Sequence, residues 1–274
     1  MKKYLALTLA LVLCLGLLAG CGTSKDKSTA TDVPSPEASG AADAQLFEQA
    51  AGKTYTIGTD TTFAPFEFED ETGTHTGIDI QLLDAIAEEM GFTVEWQVLG
   101  FDAAVAALEA GQVDAVMAGM SIKEERKLKY DFSDAYYDST TAVAVAADST
   151  IASLDDLKGQ TVVAKTGTTG SQYAEKIAPD YDLNILYVED SASMYNYVVS
   201  GQAAACFEDY PVMMYEITRG TKCKVINQSE DSLPYGFAVM KDTHPELVAA
   251  FNEGLMRLKA SGKYDEILKT FFGE

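Results

Sequence analysis

Apolar and polar positions along the chain change repeatedly from the period of a strand to the period of a helix. The short apolar runs TYTIGT (54–59) and TVEWQVL (93–99) predict strands. Between them, IDIQLLDAIAEEMG (78–91) places its two leucines, Ile86 and Met90 on one face and predicts a helix. Strands that alternate with helices in this way predict an α/β protein with mainly parallel sheets flanked by helices.

The same succession of elements occurs twice. Residues 101–119 and 191–209 each have the pattern of an amphipathic helix, a glycine and a short buried strand, and glutamine follows the glycine in both. A second similarity pairs GKTYTIGTD (52–60) with GQTVVAKTG (159–167). Repeats of whole supersecondary units predict two lobes of similar topology.

The repeats divide the chain into two lobes joined by two crossings. We assign residues 53–135 and 236–274 to the first lobe and residues 140–231 to the second. The chain then crosses between the lobes near 135–139 and near 232–236, and two crossings make a hinge. Ligands of open α/β sheets bind beyond the carboxyl ends of the strands, so we expect both sheets to line one cleft.

The N-terminal segment differs in composition from the rest of the chain. Lys2 and Lys3 precede an apolar run (5–18) that is too short for a membrane span and predicts a secretory signal. The run ends in LAGC, and small residues before a cysteine predict a lipoprotein signal peptide over residues 1–20 and a lipidated Cys21. The alternative is an ordinary signal peptide that contains a cysteine. A lipidated protein of this kind is bacterial and lies outside the cell, anchored to the outer face of the cytoplasmic membrane.

A polar segment follows the predicted lipid anchor. Residues 21–45 are mostly Ser, Thr, Ala, Pro, Gly and Asp, with almost no large apolar side chain. Such a segment cannot bury enough apolar surface to offset the entropy of ordering it. We therefore predict a disordered tether between the anchor and the lobes.

The charge and the cysteines exclude some classes of function. The net charge is −22, and removal of Lys2 and Lys3 with the signal takes it to −22 − 2 = −24. So acidic a chain argues against nucleic acid as a partner, but not against a small zwitterion that is bound locally. If Cys14 is removed with the signal and Cys21 is lipidated, Cys206 and Cys223 remain, either as a disulfide or as separate buried thiols. The chain has two histidines and no Cys/His cluster with metal-ligand spacing, so we expect neither a metal nor a cofactor.

The predicted strand ends carry groups that suit a free amino acid. Arg126 follows Ser121 by five residues, and its planar fork fits a carboxylate, although a surface position is the alternative. The loop 167–171 offers backbone N–H groups to an anion before a helix predicted from about Ser171; the alternative is a plain glycine-rich turn. Asp209 ends a buried strand, where a carboxylate needs a partner such as a ligand ammonium, unless it caps the next helix.

Five segments then carry a resemblance that extends over about residues 53–272. They are GTDTTFAPFEFED (58–70), GIDIQLLDAIAEEMGF (77–92), AGMSIKEERKLKYDFSDAYY (118–137), AKTGTTGS (164–171) and FEDYP (207–211). In this order they resemble the extracytoplasmic solute-binding proteins of polar amino acid ABC importers, with one departure, Gln81, where the family usually has an acid. The resemblance implies the two-lobe periplasmic-binding-protein fold, a ligand cleft between the lobes, hinge closure and a membrane permease as partner.

The resemblance also implies roles for the groups that hold the ligand backbone. Arg126 would bind the ligand carboxylate, together with the backbone N–H of Ser121 and with Thr169. Asp209 would bind the ammonium, together with the Gly119 carbonyl and the hydroxyl of Ser121.

Further residues would surround the ligand side chain. By resemblance, Phe63 and Phe101 sandwich its aliphatic part, although core packing is the commoner use of phenylalanine. Asp60 and Lys165 lie where the family reads the tip of the side chain, and a carboxylate beside an ammonium suits an amide. Glu208 departs from the glutamine-binding pattern and could offset Lys165 for a cationic ligand. We rank glutamine first, then arginine or lysine, then glutamate, aspartate or cystine.

Two other classes of function compete with the importer interpretation. The same fold hosts a few dehydratases and wall-lytic enzymes, and Glu208 and Asp209 could serve as acid and base. However, neighbouring residues of a strand point to opposite faces, and neither histidine lies in a nucleophile motif. A sensor ectodomain is the third interpretation. We therefore predict a monomeric binding protein and not an enzyme.

Overall fold

The computed structural model describes residues 46–273, so the predicted signal peptide, Cys21 and the predicted tether lie outside the described residues. The strands are β1 (Thr54–Thr59), β2 (Thr62–Phe63), β3 (Glu67–Glu69), β4 (His75–Thr76), β5 (Thr93–Val98), β6 (Ala115–Val116), β7 (Tyr130–Phe132), β8 (Tyr137–Ser139), β9 (Thr141–Ala146), β10 (Thr161–Lys165), β11 (Asn184–Val188), β12 (Cys206–Asp209), β13 (Cys223–Gln228), β14 (Leu233–Tyr235) and β15 (Ala238–Met240). The helices are α1 (Ile78–Met90), α2 (Phe101–Glu109), α3 (Glu124–Lys127), α4 (Thr169–Tyr181), α5 (Ser191–Val199), α6 (Tyr210–Thr218), α7 (Pro245–Ser261) and α8 (Lys263–Phe272).

Two five-stranded sheets form the centres of two lobes, and they have the same topology. The orders are β5-β1-β6-β15-β7 and β11-β10-β12-β9-β13. In each sheet the first three strands are parallel and the other pairings are antiparallel. The predicted α/β fold with two similar lobes is therefore confirmed. The sheets are less parallel than expected because β9 and β15 directly follow the crossings and enter their sheets from the opposite end.

A two-stranded ribbon lies between the sheets. Strands β8 and β14 pair antiparallel, with Leu233 opposite Ser139 and Tyr235 opposite Tyr137. The segments predicted as crossings, 135–139 and 232–236, contain these two strands. On either side of the ribbon, each five-stranded sheet draws its strands from the residues that the repeats assign to one lobe.

Apolar side chains fill the space between each sheet and its helices. In the first lobe α1 packs against α7, where Gly254 allows a close approach because an added Cβ would lie 2.7 Å from Ile86 Cγ2. In the second lobe, β9 and β10 contribute fully buried valines to the core. The buried faces of these helices and strands are the apolar faces that the sequence periodicity predicts, because burial of apolar surface determines which face of each element packs inward.

The two remaining cysteines are separate thiols. Cys206 pairs with Ala144 and Cys223 with Ala146, so they lie on strands to either side of β9. Both are buried and free, and the disulfide interpretation is therefore wrong. Burial raises the pKa of both thiols, to about 11 for Cys223, so both are protonated at neutral pH.

The small sheet β2-β3-β4 was not predicted from the sequence pattern. Its strands have two or three residues, too few for a periodic signal, and Phe63 pairs with Glu67 across β2 and β3. This sheet covers the end of the first lobe at the cleft. No helix within residues 46–273 has the length and apolar character needed to cross a membrane.

Candidate functional site

One cavity between the lobes brings together every side chain that the sequence singled out for the ligand. Its volume is about 330 Å³, with the space at its mouth included. It lies at the carboxyl ends of strands from both sheets, as expected for this class of fold. The lining residues that were predicted individually are Asp60, Phe63, Phe101, Gly119, Ser121, Arg126, Lys165, Thr169, Glu208 and Asp209. Thr168 belongs to the predicted anion-binding loop, and Glu67 and Ala118 were not predicted.

Arg126 lies across the cleft between loops of the two lobes and is not a free surface residue. Its Nη1 donates to the Ser121 carbonyl at 3.0 Å, and its Nη2 donates to the Gly167 carbonyl at 3.2 Å. Its guanidinium carbon lies 5.5 Å from the centre of the Phe101 ring, a cation–π distance. Burial lowers the pKa of Arg126 and the Asp209 carboxylate counters this, and the guanidinium remains charged. Three N–H donors are left for an anion.

The loop before α4 supplies further donors opposite Arg126. Thr168 caps the helix, because its hydroxyl accepts a hydrogen bond from the Ser171 N–H at 3.2 Å. The helix begins two residues earlier than predicted, so Thr169 lies in its first turn. The Thr169 hydroxyl is 3.0 Å from the Ser121 hydroxyl of the other lobe. Hydroxyls from both lobes and a helix N-terminus therefore lie at the end of the cavity where Arg126 is found.

Asp209 is buried at the end of β12 and does not cap the following helix. Helix α6 has no side-chain capping bond at Asp209, and the Tyr235 hydroxyl donates to the Asp209 carboxylate instead. Burial, followed by the charge of Glu208, raises the pKa of Asp209 to about 7, while Tyr235 and Arg126 act in the opposite direction. A ligand ammonium beside this carboxylate would restore its ionised form.

Glu208 and Asp209 both line the cavity, which lies at the end of the strand that carries them. Asp209 has an extended backbone and pairs with Thr141, so the expected alternation of side chains is not interrupted there. Glu208 accepts hydrogen bonds from the Tyr195 hydroxyl and the Asp209 N–H, both at 2.9 Å. Burial raises the pKa of Glu208, and the Lys165 charge lowers it.

Lys165 and Asp60 form a buried ion pair between the lobes. Lys165 is 3% exposed, and its ammonium donates to the Asp60 carboxylate. The other Asp60 oxygen accepts from the backbone N–H groups of Thr61 and Thr62 at 2.6 and 3.2 Å. The ammonium also lies 5.6 Å from the centre of the Phe63 ring. The pair thus presents a donor and an acceptor on the same side of the cavity.

Gly119 occupies a position that leaves no room for a side chain. Its φ is +54°, and an added Cβ would lie 2.4 Å from Phe63 Cε1. We expect Gly119→Ala to lower the free energy of unfolding by about 1–3 kcal/mol, from backbone strain and this clash. Gly111→Ala is the matched control, since Gly111 has φ +67° and nothing within 4 Å of the added Cβ. Equal losses for both variants in thermal unfolding would show that the contact with Phe63 is unimportant.

Glu67 and Tyr235 are site residues that the sequence analysis missed. Glu67 lies within the segment FEFED (66–70), which follows no predicted strand. The expectation that ligand-binding residues lie at the carboxyl ends of strands therefore does not identify it. Tyr235 lies on the second crossing, more than twenty residues beyond its partner Asp209. Among residues 46–273 no group of three or more His, Cys, Asp or Glu side chains is arranged to hold a metal ion.

Comparison with known proteins shows the family to which the chain belongs. A family model described as bacterial extracellular solute-binding proteins, family 3, matches residues 55–274. The chain belongs to this family. Its members are extracytoplasmic proteins that bind solutes, and the family has the two-lobe fold seen here. The predicted family is therefore confirmed.

Relatives of known name are amino acid-binding proteins. The lysine/arginine/ornithine-binding periplasmic protein of Escherichia coli is 30% identical over 229 residues, which cover 80% of this chain and 88% of that protein. The structure of an ancestral arginine-binding protein bound to arginine is 36% identical with a TM-score of 0.75, over 80% of this chain and 98% of that one. An ancestral arginine-binding protein bound to glutamine is also 36% identical, with a TM-score of 0.74, over 81% and 98%.

Proposed function

We propose that this chain is the substrate-binding lipoprotein of an ABC-type amino acid importer and binds one polar L-amino acid between its lobes. The observation that carries the proposal is the arrangement of opposite charges in one cavity. The Arg126 guanidinium and the Asp209 carboxylate line the same cavity. The hydroxyls of Ser121 and Thr169, one from each lobe, meet there as well. A free amino acid needs a cation for its carboxylate and an anion for its ammonium at the same time.

Hinge closure follows from the division of these contacts between the lobes. Ser121 and Arg126 belong to the first lobe, whereas Thr169 and Asp209 belong to the second. A ligand that contacts both sets favours the form in which the lobes meet, because only that form satisfies both of its charges. The β8–β14 ribbon is the proposed hinge, and the closed form is the proposed signal to the membrane permease.

Glutamine is the first candidate ligand. The ion pair of Lys165 and Asp60 presents an ammonium donor and a carboxylate acceptor, and a side-chain amide has the complementary acceptor and donor. The aromatic ring of Phe63 lies beside this pair and can cover the methylene groups of the side chain. An amide between these groups adds no net charge to a buried site.

Arginine or lysine is the second candidate, and Glu208 favours it. Asp60 already neutralises Lys165, so the Glu208 carboxylate is available as a counter-ion for a cationic side chain. Two of the solved relatives are arginine-binding proteins, one of them solved with glutamine, so both ligands fall within the range of similar sites. Under this alternative, Glu208→Gln should weaken arginine binding and leave glutamine binding unchanged.

A thermal-shift screen tests the proposal. The purified protein, unfolded and refolded to remove carried-over ligand, would be heated with each of the twenty amino acids at about 1 mM. A ligand at about a thousand times its Kd adds about 4 kcal/mol of stability, which raises the midpoint by about 8–16 °C for a chain of this size. A shift with glutamine supports the first candidate, and a shift with arginine or lysine supports the second. The absence of a shift with any amino acid would contradict the proposal.

The predictions for the N-terminus complete the proposed function. The lipid on Cys21 would hold a monomer at the outer face of the cytoplasmic membrane, within reach of the permease. Mass spectrometry of the mature N-terminus tests this: a diacylglycerol on Cys21 supports it, and an unmodified thiol contradicts it. Chemical conversion of the bound amino acid would instead favour the enzyme alternative.

A further inference from the structure

Two buried carboxyl groups, Glu67 in the wall of the cavity and Asp79 behind Gly119, form no ion pair within the described residues. Glu67 is 1% exposed and Asp79 is fully buried. The nearest cation, Lys165, donates to Asp60. Within residues 46–273, neither carboxylate oxygen of Glu67 has a hydrogen-bond partner, and neither has Oδ1 of Asp79. Buried polar groups left in this state are rare in folded proteins and call for an explanation.

The backbone brings these two carboxyl groups together. The first N–H groups of helix α1, those of Ile78 and Asp79, donate to the carbonyls of Pro65 and Phe66 at 2.9 Å. Gly77 permits this approach, since an added Cβ would lie 2.0 Å from the Phe66 carbonyl oxygen. The start of α1 is thus attached to the residues just before Glu67, which places the carboxyl groups of Glu67 and Asp79 close to each other.

A single proton between the two groups would give a partner to two of these three oxygens. Two ionised carboxylates in a buried site repel each other and lose their hydration, whereas a carboxylic acid can donate to a carboxylate. Asp79 accepts from the Gly119 N–H and the Tyr136 hydroxyl, both at 2.8 Å, and it lies in the first turn of α1. These contacts favour the ionised form of Asp79. Glu67 has no such donors, so the proton belongs on Glu67.

We propose that Glu67 is protonated in the folded protein, donates a hydrogen bond to Oδ1 of Asp79, and so acts as a positioning residue for Gly119 in the ligand site. Burial, followed by the charges of Asp79 and Asp60, raises the pKa of Glu67 well above its ordinary value, against the opposing charge of Lys165. Burial raises the pKa of Asp79 to about 6. The neutral Glu67 also keeps a further negative charge out of a cavity that already holds three carboxyl groups.

The pair connects the ligand site to the proposed hinge. Asp79 holds the backbone of Gly119, whose carbonyl is a proposed contact for the ligand ammonium, and it also holds Tyr136, the residue before β8. The protonation of Glu67 follows from the geometry of the folded protein alone. Its effect on ligand affinity rests on the proposed function, so the two parts are tested separately.

The first test is thermal unfolding of the purified full chain without ligand between about pH 5 and 9. Glu67 ionises near its ordinary pKa in the unfolded chain and only at higher pH in the folded one. The contribution of Glu67 to the stability of the wild type therefore decreases as the pH rises, by about tenfold in the folding equilibrium per pH unit. Glu67→Gln cannot ionise, so the midpoint of this variant minus that of the wild type should rise with pH. Glu69→Gln, an exposed position on the same strand, is the control. Parallel pH profiles for Glu67→Gln and wild type would overturn the proposal.

Infrared spectroscopy gives a second readout of the proton. At about pH 8 the carbonyl band of protonated carboxylic acids should lose intensity in Glu67→Gln and keep it in Glu69→Gln. If Glu67→Gln fails to fold, the same band is measured at rising pH in the wild type and in the Glu69→Gln variant. The absence of a protonated-acid band at pH 8 would overturn the proposal.

The positioning role is tested by calorimetric titration with the amino acid identified in the thermal screen. Glu67→Gln should keep the wild-type affinity, because an amide can also donate to Asp79, whereas Glu67→Ala should weaken it. Equal affinities for Glu67→Ala and wild type would overturn the positioning role. If the wild type binds no amino acid, the proposed function fails, while the pH profiles still decide whether Glu67 holds a proton.

Discussion

Arg126→Ala is expected to weaken amino acid binding by about 2–5 kcal/mol, because the ligand carboxylate would be buried without its counter-charge. This corresponds to an affinity loss of about 30-fold to several thousand-fold. The structure gives the reason for the large effect: in the form in which the lobes meet, carbonyls from both lobes hold Arg126 and leave three N–H donors for the ligand carboxylate. Isothermal titration with the preferred amino acid measures the change.

Lys127→Ala is the matched control for this variant. Lys127 is the neighbouring residue in α3, carries the same charge and forms an exposed ion pair with Glu124 at 2.8 Å. Exposed pairs contribute little, so its replacement should leave both affinity and stability close to those of the wild type. Arg126→Lys should recover part of the loss, since an ammonium supplies the charge without the two-pronged geometry. Normal binding by Arg126→Ala would contradict the assignment of this residue to the ligand carboxylate.

Asp209→Asn is expected to have an effect of similar size at the other end of the ligand. The amide is nearly isosteric, but it cannot supply the charge that the ammonium needs, so we again expect a loss of about 2–5 kcal/mol. The Tyr235 hydroxyl can still donate to the side-chain carbonyl, which should preserve the fold. Asp138→Asn, an exposed carboxylate on β8, is the control. Full binding by Asp209→Asn would contradict the proposed ammonium site.

The pH dependence of binding follows from the same carboxylate. Burial raises the pKa of Asp209 to about 7, and the ligand ammonium would favour the ionised form. Below pH 7 the ligand must displace a proton, so the affinity should fall by about tenfold for each pH unit as the pH decreases. Above pH 7 the carboxylate is already ionised, and this contribution should be flat. Asp209→Asn should remove this dependence, and its persistence in that variant would assign the proton to another group.

Most of the site was predictable because it follows strands that have a clear pattern. Asp60, Lys165 and Asp209 each come at the carboxyl end of a strand whose apolar period is visible in the sequence, and such ends meet at one edge of a sheet. The resemblance placed the aromatic residues and Arg126, for which the periodicity gave no signal.

The apolar and polar pattern alone determined that the chain has two similar α/β lobes with a cleft at their strand ends, since burial of each element depends on its own periodic face. The tertiary structure decided how the charged groups are paired. Lys165 meets Asp60 from 105 positions away, and Glu67 meets Asp79 only because α1 is attached to the preceding loop. Charge, pKa and hydrogen bonding depend on neighbours within a few ångströms, and local periodicity carries no information about neighbours that are distant in the sequence.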